Sequence, residues 1–170
     1  MSNASSPRFL VNPTADPVAL RIEGRVFFQI CSCLKDFFDK AIAAGKRNFA
    51  IDFADCSGVD STFLGILART VLELRRANPP GTMVMRGLNE RNRELLANLG
   101  VDRFITFDDH CQVDVNGNGA QALDVVMEKD QVAAARMVLD AHESLIEMNP
   151  DNREKFQDLL SILEEQTKRD

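Results

Sequence analysis

The stretch that most constrains the fold is residues 52–67, DFADCSGVDSTFLGIL, which predicts a strand end, a tight loop and a helix start in close succession. Upstream, residues 48–53 are apolar and alternating enough to form a buried strand. Downstream, apolar residues recur at the three-to-four spacing of a helix face as far as the Asn-Pro-Pro-Gly breaker at 78–81. We therefore expect a strand that feeds directly into a helix, with Ser57 and Gly58 supplying the turn.

Three oxygen-bearing side chains, Asp60, Ser61 and Thr62, fall at the start of this predicted helix. The first turn of a helix has unpaired backbone N–H groups and the positive end of the helix dipole, and both favour short polar side chains. Helix capping alone is therefore one interpretation of these residues. The second interpretation is a site that binds another protein, and local chemistry does not distinguish between the two interpretations.

The residues around this cap resemble the signature of the STAS domain, which occurs in bacterial anti-sigma-factor antagonists and in sulphate-transporter tails. The matching residues are DSTFLG, positions 60–65, which follow a predicted strand and a short loop. The resemblance implies that Ser61 is the serine that a partner kinase phosphorylates, with the adjacent Thr62 as the competing hydroxyl. Phe63 departs from the family pattern, which usually has a glycine that permits close backbone approach. The expected partner-binding residues are Ser57, Gly58, Asp60, Ser61, Thr62 and Phe63.

The rest of the chain alternates between strand and helix patterns. Strands are expected at residues 8–11, Val18–Arg25, 48–53, 82–85 and 101–107, and helices at 27–44, 61–77 and Glu90–Asn98. Strands separated by helices of this length predict an α/β fold with a mainly parallel sheet of about 4–5 strands covered by helices. The STAS fold has this order of elements, so the resemblance extends over residues 8–109.

A change of pattern follows the last predicted strand. Residues 111–121 are polar and rich in Gly and Asn, which is typical of a linker. Beyond them the apolar spacing is helical, and Asn149 and Pro150 divide it into two helices. We therefore expect a STAS-like domain at residues 8–115 and a C-terminal helical hairpin at 124–170. The apolar faces of the hairpin must be covered either by the sheet domain or by another subunit, so self-association through these helices is an open alternative.

Composition narrows the class of protein. The chain is 45% hydrophobic and 27% charged, and no apolar run approaches the roughly 20 residues of a membrane span, so we expect a soluble protein without membrane insertion. The first ten residues lack a signal-peptide pattern, which predicts a cytoplasmic location. Of the net charge of −6, most lies in residues 127–170, with 6 Lys and Arg against 11 Asp and Glu. The absence of a basic stripe, and of Trp and Tyr, argues against nucleic acid as a partner.

The four cysteines and two histidines give no pattern that is typical of a catalytic or metal site. No zinc-ligand spacing and no glycine-rich phosphate-binding motif is present, so we expect free thiols, no metal, no cofactor and no enzymatic activity. His142 flanks an apolar helical stripe, and such a histidine is most often packed and hydrogen-bonded. His110 lies in a predicted loop.

The STAS resemblance implies a specific function in bacterial transcription regulation and signal transduction. The unphosphorylated antagonist binds an anti-sigma factor, which is also a serine kinase, and thereby frees a sigma factor. The kinase phosphorylates the antagonist at the equivalent of Ser61 to break the complex, and a phosphatase resets it. Two alternatives remain: a non-phosphorylated STAS adaptor subunit of a larger assembly such as a transport complex, and a scaffold that binds partners through its helical hairpin.

Overall fold

A computed structural model of the chain describes residues 6–168. Residues 1–5, which belong to the N-terminal stretch without a signal-peptide pattern, and residues 169–170 of the predicted hairpin segment lie outside this range. The strands are β1 (Arg8–Asn12), β2 (Val18–Arg25), β3 (Asn48–Gly58), β4 (Thr82–Arg86), β5 (Thr106–Phe107) and β6 (Gln121–Ala122). The helices are α1 (Ser32–Ala43), α2 (Ser61–Arg76), α3 (Glu90–Asn98), α4 (Gln131–Met148) and α5 (Asn152–Thr167), with short 3-10 helices at Phe28–Ile30 and Val101–Phe104.

The strands form one mixed sheet in the order β5-β4-β3-β2-β1-β6. The neighbours from β2 to β5 run parallel, whereas β1 is antiparallel to both β2 and β6. The predicted α/β class with a mainly parallel sheet is confirmed, and the sixth strand comes from the end of the predicted linker. The main core lies between one face of the sheet and the helices, where Phe49, Ile51 and Phe53 of β3 are buried.

The segment after the signature strand differs from the prediction in one respect. We expected β3 to end at Phe53 and Ser57 and Gly58 to form a turn, but β3 continues to Gly58. Its last residues stay paired to β2, and Gly58 O accepts a hydrogen bond of 2.9 Å from Val26 N. The turn into α2 is therefore left to Val59 and Asp60, and the predicted turn at Ser57 and Gly58 is wrong.

The predicted last strand, residues 101–107, is wrong for most of its length. Residues Val101–Phe104 form a 3-10 helix, and only Thr106–Phe107 pair with β4. Gly100, with a φ of 75°, ends α3 in the left-handed conformation and turns the chain at that point. Val101 is then buried in the main core from a helical turn rather than from a strand. Alternating apolar residues do not distinguish this arrangement from a strand in so short a segment.

The predicted linker packs against the sheet rather than running free of it. Val113 and Val115 are buried on Ala19 and Ala50. These two alanines alternate in sequence with core residues of β2 and β3, so they lie on the opposite face of the sheet. The segment ends in β6, which extends the sheet beyond β1. Residues 111–121 thus cover the second face of the sheet, a role that their polar composition conceals.

The two C-terminal helices form the predicted hairpin, and α4 lies along α2. Three residues of α4, Ala141, Leu145 and Met148, belong to the same buried cluster as the sheet core. The corner of the hairpin is also attached, because the fully buried Asn152 donates to Leu99 O at 2.9 Å and to Leu145 O at 2.8 Å. The apolar face of α4 is therefore covered by the sheet domain of the same chain. The division into two folding units stays a prediction.

Candidate functional site

The start of α2 is built around the carboxylate of Asp60. This residue is the N-cap, and its Oδ1 accepts a hydrogen bond of 2.9 Å from Phe63 N. Its Oδ2 accepts another of 2.7 Å from Phe28 N, which attaches the helix start to the 3-10 helix before α1. Burial raises the pKa of Asp60, and the hydrogen bonds from the two amides oppose that shift. Asp60 therefore acts as the predicted cap and also fixes where α2 meets a second element.

Ser61, the first residue of α2, is half-buried and hydrogen-bonded to the C-terminal hairpin. Its Oγ lies 2.9 Å from Nε2 of His142 in α4. His142 Nδ1 lies 2.6 Å from Val138 O, which can only accept, so Nδ1 carries the proton and Nε2 accepts from the serine hydroxyl. His142 is 1% exposed, and its imidazole makes an edge-to-face contact with the ring of Phe156, with the ring centroids 4.6 Å apart. Burial lowers the pKa of His142, which favours this neutral form.

His142 is packed and hydrogen-bonded, as its place beside an apolar stripe indicated. What sequence reasoning missed is its contact with Ser61, which lies 81 residues earlier in the chain. A helical histidine and a serine at the first position of a helix are each common, and neither pattern indicates a contact with the other. Only the packing of α4 on α2 brings them together.

The remaining predicted site residues are not all at the surface. Phe63 is fully buried and packs edge-on against Phe53, with ring centroids 6.2 Å apart. Thr62 is 3% exposed. The side chain of Phe63 therefore cannot contact a partner in this structure, and its inclusion among the contact residues is corrected, because the ring fills the space between β3 and α2. Ser57 is exposed and Gly58 is half-exposed at the end of β3.

A cavity of about 1120 Å³ opens beside Ser61. It lies between the start of α2, the segment before α4, and the facing sides of α4 and α5. Its polar wall includes Ser61 and His142, and its apolar walls include Phe28, Met127, Leu159 and Leu163. Phe28 and Met127 are 38% and 47% exposed at the same site. The hairpin thus contacts Ser61 through His142 and leaves an open space between the start of α2 and the facing sides of α4 and α5.

A second polar cluster lies on the far face of the sheet, where Asp52 accepts from Arg21 at 3.3 Å and from Arg86 at 2.9 Å. Asp52 is 2% exposed, and Ala54 N also donates to it. Burial alone would raise the pKa of Asp52, but the hydrogen bonds from Arg86 and Ala54 outweigh it and lower the pKa. Every strong partner of this carboxylate is within the fold, so the cluster ties β2, β3 and β4 together.

The cysteines are unpaired thiols, and Cys31 and Cys56 are buried. Within residues 6–168, no three His, Cys, Asp or Glu side chains come close enough together to hold a metal ion. In the same range, no helix is both long enough and apolar enough to cross a membrane.

The fold and the helix-start serine define a class of α/β domain with a mixed sheet, a capped signature helix and an added helical hairpin. The model of the family described as "Mlab, STAS domain" matches residues 9–106, more than half of the chain. The chain therefore belongs to the STAS family, as the signature at residues 60–65 indicated.

Among solved structures, seven chains match. One is the crystal structure of an anti-sigma factor antagonist from Mycobacterium paratuberculosis, with a TM-score of 0.52 and 21% sequence identity. That match covers 63% of this chain and 89% of the other, and at this identity it supports the fold. The comparison with curated proteins found no match.

Proposed function

We propose that the protein is a regulatory binding module of the anti-sigma-factor-antagonist type, switched by phosphorylation of Ser61. The observation that carries the proposal is the position of Ser61, at the first residue of α2, next to the capping Asp60 and facing an open cavity. Membership of the STAS family and the fold shared with an anti-sigma factor antagonist support it. In this role the protein is cytoplasmic and non-enzymatic, and its partners are an anti-sigma factor or serine kinase and a phosphatase.

The switch has a direct electrostatic basis. A phosphate on Ser61 adds a charge of about −1.5 to −2 at pH 7 and replaces a hydroxyl donor by acceptor oxygens. The helix N-terminus tolerates this charge, so the fold can carry it. A partner surface that fits a neutral serine next to the Asp60 carboxylate would have to bury the added charge as well, and its affinity falls. Ser57, Gly58 and Asp60 supply the rest of the proposed contact surface.

One observation favours a second candidate, a non-phosphorylated adaptor. The Ser61 hydroxyl already donates to His142, and Thr62 is 3% exposed, so neither hydroxyl is freely presented to a kinase. In that role Ser61 would be a structural hydrogen-bond donor, and the domain would serve as a subunit of a larger assembly. The third candidate, a scaffold that binds through its hairpin, draws support only from the 54% exposure of Ile162 on α5.

Partner affinity in a short series of variants tests the switch. Ser61→Ala removes the phosphate acceptor without adding charge, so we expect it to retain the partner constitutively. Ser61→Asp adds charge where the phosphate would lie, and a penalty of roughly 2–3 kcal/mol would weaken binding about 30- to 150-fold. Thr62→Ala tests the competing hydroxyl, and phosphosite mapping after incubation with candidate anti-sigma kinases identifies the acceptor. Equal affinity of wild type, Ser61→Ala and Ser61→Asp would contradict the switch and favour the adaptor role. A phosphate found only on Thr62 would assign the phosphorylation site to Thr62 instead of Ser61.

A further inference from the structure

We propose that His142 is a phosphate-binding residue: when Ser61 carries a phosphate, the imidazole takes up a proton and forms an ion pair with it across the contact between α2 and α4. The phosphate itself belongs to the proposed function, on which this inference rests. The hairpin then stays docked in both states, and one of its residues recognises the modification inside the same chain.

The hydrogen bond between Ser61 and His142 contains one proton, and that proton belongs to the serine. Ser61 Oγ lies 2.9 Å from His142 Nε2, while Val138 O, 2.6 Å from Nδ1, holds the ring's own proton on the opposite nitrogen. Phosphorylation replaces the hydroxyl proton with phosphorus, so phosphate oxygens, which accept, would face Nε2, which also accepts. Either a proton enters this pair, therefore, or α4 moves away from α2.

Moving α4 is the costlier response, because this helix is part of the core. Leu145 and Met148 belong to the main buried cluster. A Cβ at Gly65 of α2 would lie 2.2 Å from Ala141 O, so the two helix backbones are in close contact. At the corner of the hairpin, the fully buried Asn152 donates to two backbone carbonyls. All of these contacts are retained if the imidazole takes up a proton.

The imidazole is well placed to take up that proton. With its usual pKa of about 6.5, an imidazole is protonated in about a quarter of molecules at pH 7. In the unmodified protein burial lowers the pKa of His142, and the charge of Asp60 opposes that shift. A phosphate charge of about −1.5 to −2 next to Nε2 would act in the same direction as Asp60. Because the second pKa of a phosphoserine is about 6, the imidazole is the stronger base of the two, and the proton resides on Nε2.

The surroundings leave space for the phosphate and supply little competing positive charge. The cavity of about 1120 Å³ opens beside the serine, so the phosphate displaces no helix. On the α5 side, the uncharged ring of Phe156 packs on the imidazole. Among the described residues, the charged side chains that line the cavity are Asp60, Glu128, Lys129 and Asp130. Asp130 caps α4 and Glu128 accepts from Asp130 N, so Lys129 is the cation to test against His142.

Nuclear magnetic resonance on the full-length chain, with phosphoserine incorporated at position 61 during translation, tests the proposal. The chain has two histidines, so proton–nitrogen correlation spectra of the imidazoles report the protonation of both. His110, at an exposed loop position, is the control within the same sample. Phosphorus spectra measure the second pKa of the phosphate in the wild-type background, in His142→Gln and in the matched variant Lys129→Gln.

In the unphosphorylated protein we expect a neutral His142 with its proton on Nδ1. In the phosphoprotein we expect both ring nitrogens of His142 to be protonated at pH 7 and its pKa to be higher by at least about 1 pH unit, with the pKa of His110 unchanged. The second pKa of the phosphate should be lower in the wild-type background and in Lys129→Gln than in His142→Gln.

Three results would overturn the proposal: the same pKa of His142 in both proteins, a proton on the phosphate instead of Nε2, or a His142 that titrates like a free imidazole because α4 has left α2. The imidazole spectra require no variant, so the test remains decisive if His142→Gln fails to fold. No partner is present in these measurements. Equal partner affinity of the Ser61 variants would contradict the switch alone, and a neutral His142 in the phosphoprotein would contradict the ion pair alone.

Discussion

At the scale of single residues, His142 makes stability depend on pH. Its pKa is lowered by burial, so the unfolded chain takes up a proton near pH 6.5 and the folded chain only at lower pH. Between those values the unfolded state binds more protons, so the free energy of unfolding decreases as the pH falls below about 6.5. Asp60 is the carboxylate that faces this imidazole, and its pKa is raised by burial. At more acidic pH the folded state therefore binds a proton at Asp60 more readily than the unfolded state does, which increases the free energy of unfolding as the pH falls.

Urea unfolding at several pH values between about 7 and 5 measures this dependence. We expect His142→Gln to flatten the slope, because glutamine does not titrate. His110→Gln, at an exposed loop position, is the matched control and should keep the slope of wild type. An unchanged slope in His142→Gln would contradict the assignment of the proton to this residue.

The four thiols should differ in reactivity. Burial raises the pKa of Cys56 to about 11, and burial also raises the pKa of Cys31, so both are protonated and shielded at pH 8. Burial raises the pKa of Cys33 and Cys111 as well, but both side chains are only half-buried and can be reached by a reagent. Because the thiolate is the nucleophile, we expect Cys33 and Cys111 to react first with a thiol reagent and Cys31 and Cys56 slowly. In denaturant all four should titrate together, and mass mapping of partly modified protein would show any other order.

At the scale of single elements, the sequence predicted the start and end of an element correctly where neighbouring residues in the chain determine them. The start and end of α3 agree with the prediction because Asn89 caps it, with Oδ1 accepting from Asn92 N at 2.8 Å, and Gly100 follows it. Other boundaries depend on contacts with residues that are distant in the sequence. Whether residues beyond Phe53 stay in β3 depends on β2, and whether residues 113–115 are free or buried depends on the alanines opposite them. Neither neighbour is visible in the local pattern.

In the candidate site, too, some features follow from the local sequence and others depend on tertiary packing. The cap at Asp60 and the helix-start position of Ser61 follow from residue types at a strand-to-helix junction. The burial of Phe63 agrees with its place in the apolar helical spacing of α2, whereas the family pattern, which usually has a glycine here, does not show that a ring fills the space between β3 and α2. The cover provided by His142 depends on the docking of α4, which no spacing in the sequence encodes.

The Gly65 contact supplies a prediction for the pairing of α2 with α4. Gly65→Ala improves helix propensity, yet its Cβ would overlap the backbone of Ala141. We expect a loss of about 1–3 kcal/mol in the free energy of unfolding, which is typical of overpacking in a closely packed contact. Glu73→Ala, a change to alanine at a half-exposed position of α2, is the control; it removes only the half-exposed ion pair with Arg69 and should stay close to wild type. Stabilisation by Gly65→Ala would show that α4 is not held against α2 in solution.

At the scale of the whole molecule, the question is whether the sheet domain needs the hairpin in order to fold. The sheet has its own core between β3 and α2, and its second face is covered by Val113 and Val115 before the hairpin begins. Against that, α4 adds Leu145 and Met148 to the main core, so its removal exposes apolar surface on α2. We therefore expect the domain to fold without the hairpin, with lower stability and a tendency to self-associate.

Two shortened chains, ending at Val115 and at Val126, resolve the contribution of each part. The longer one keeps β6, which pairs Leu10 with Ala122 and Val11 with Gln121, and the shorter one lacks it. Circular dichroism and urea titration should show cooperative unfolding for both, with the chain ending at Val126 the more stable because the edge of β1 remains paired. Light scattering should show association in both, since each exposes the α2 surface that the hairpin covers. A broad, non-cooperative transition in the chain ending at Val126 would mean that sheet and hairpin form one folding unit.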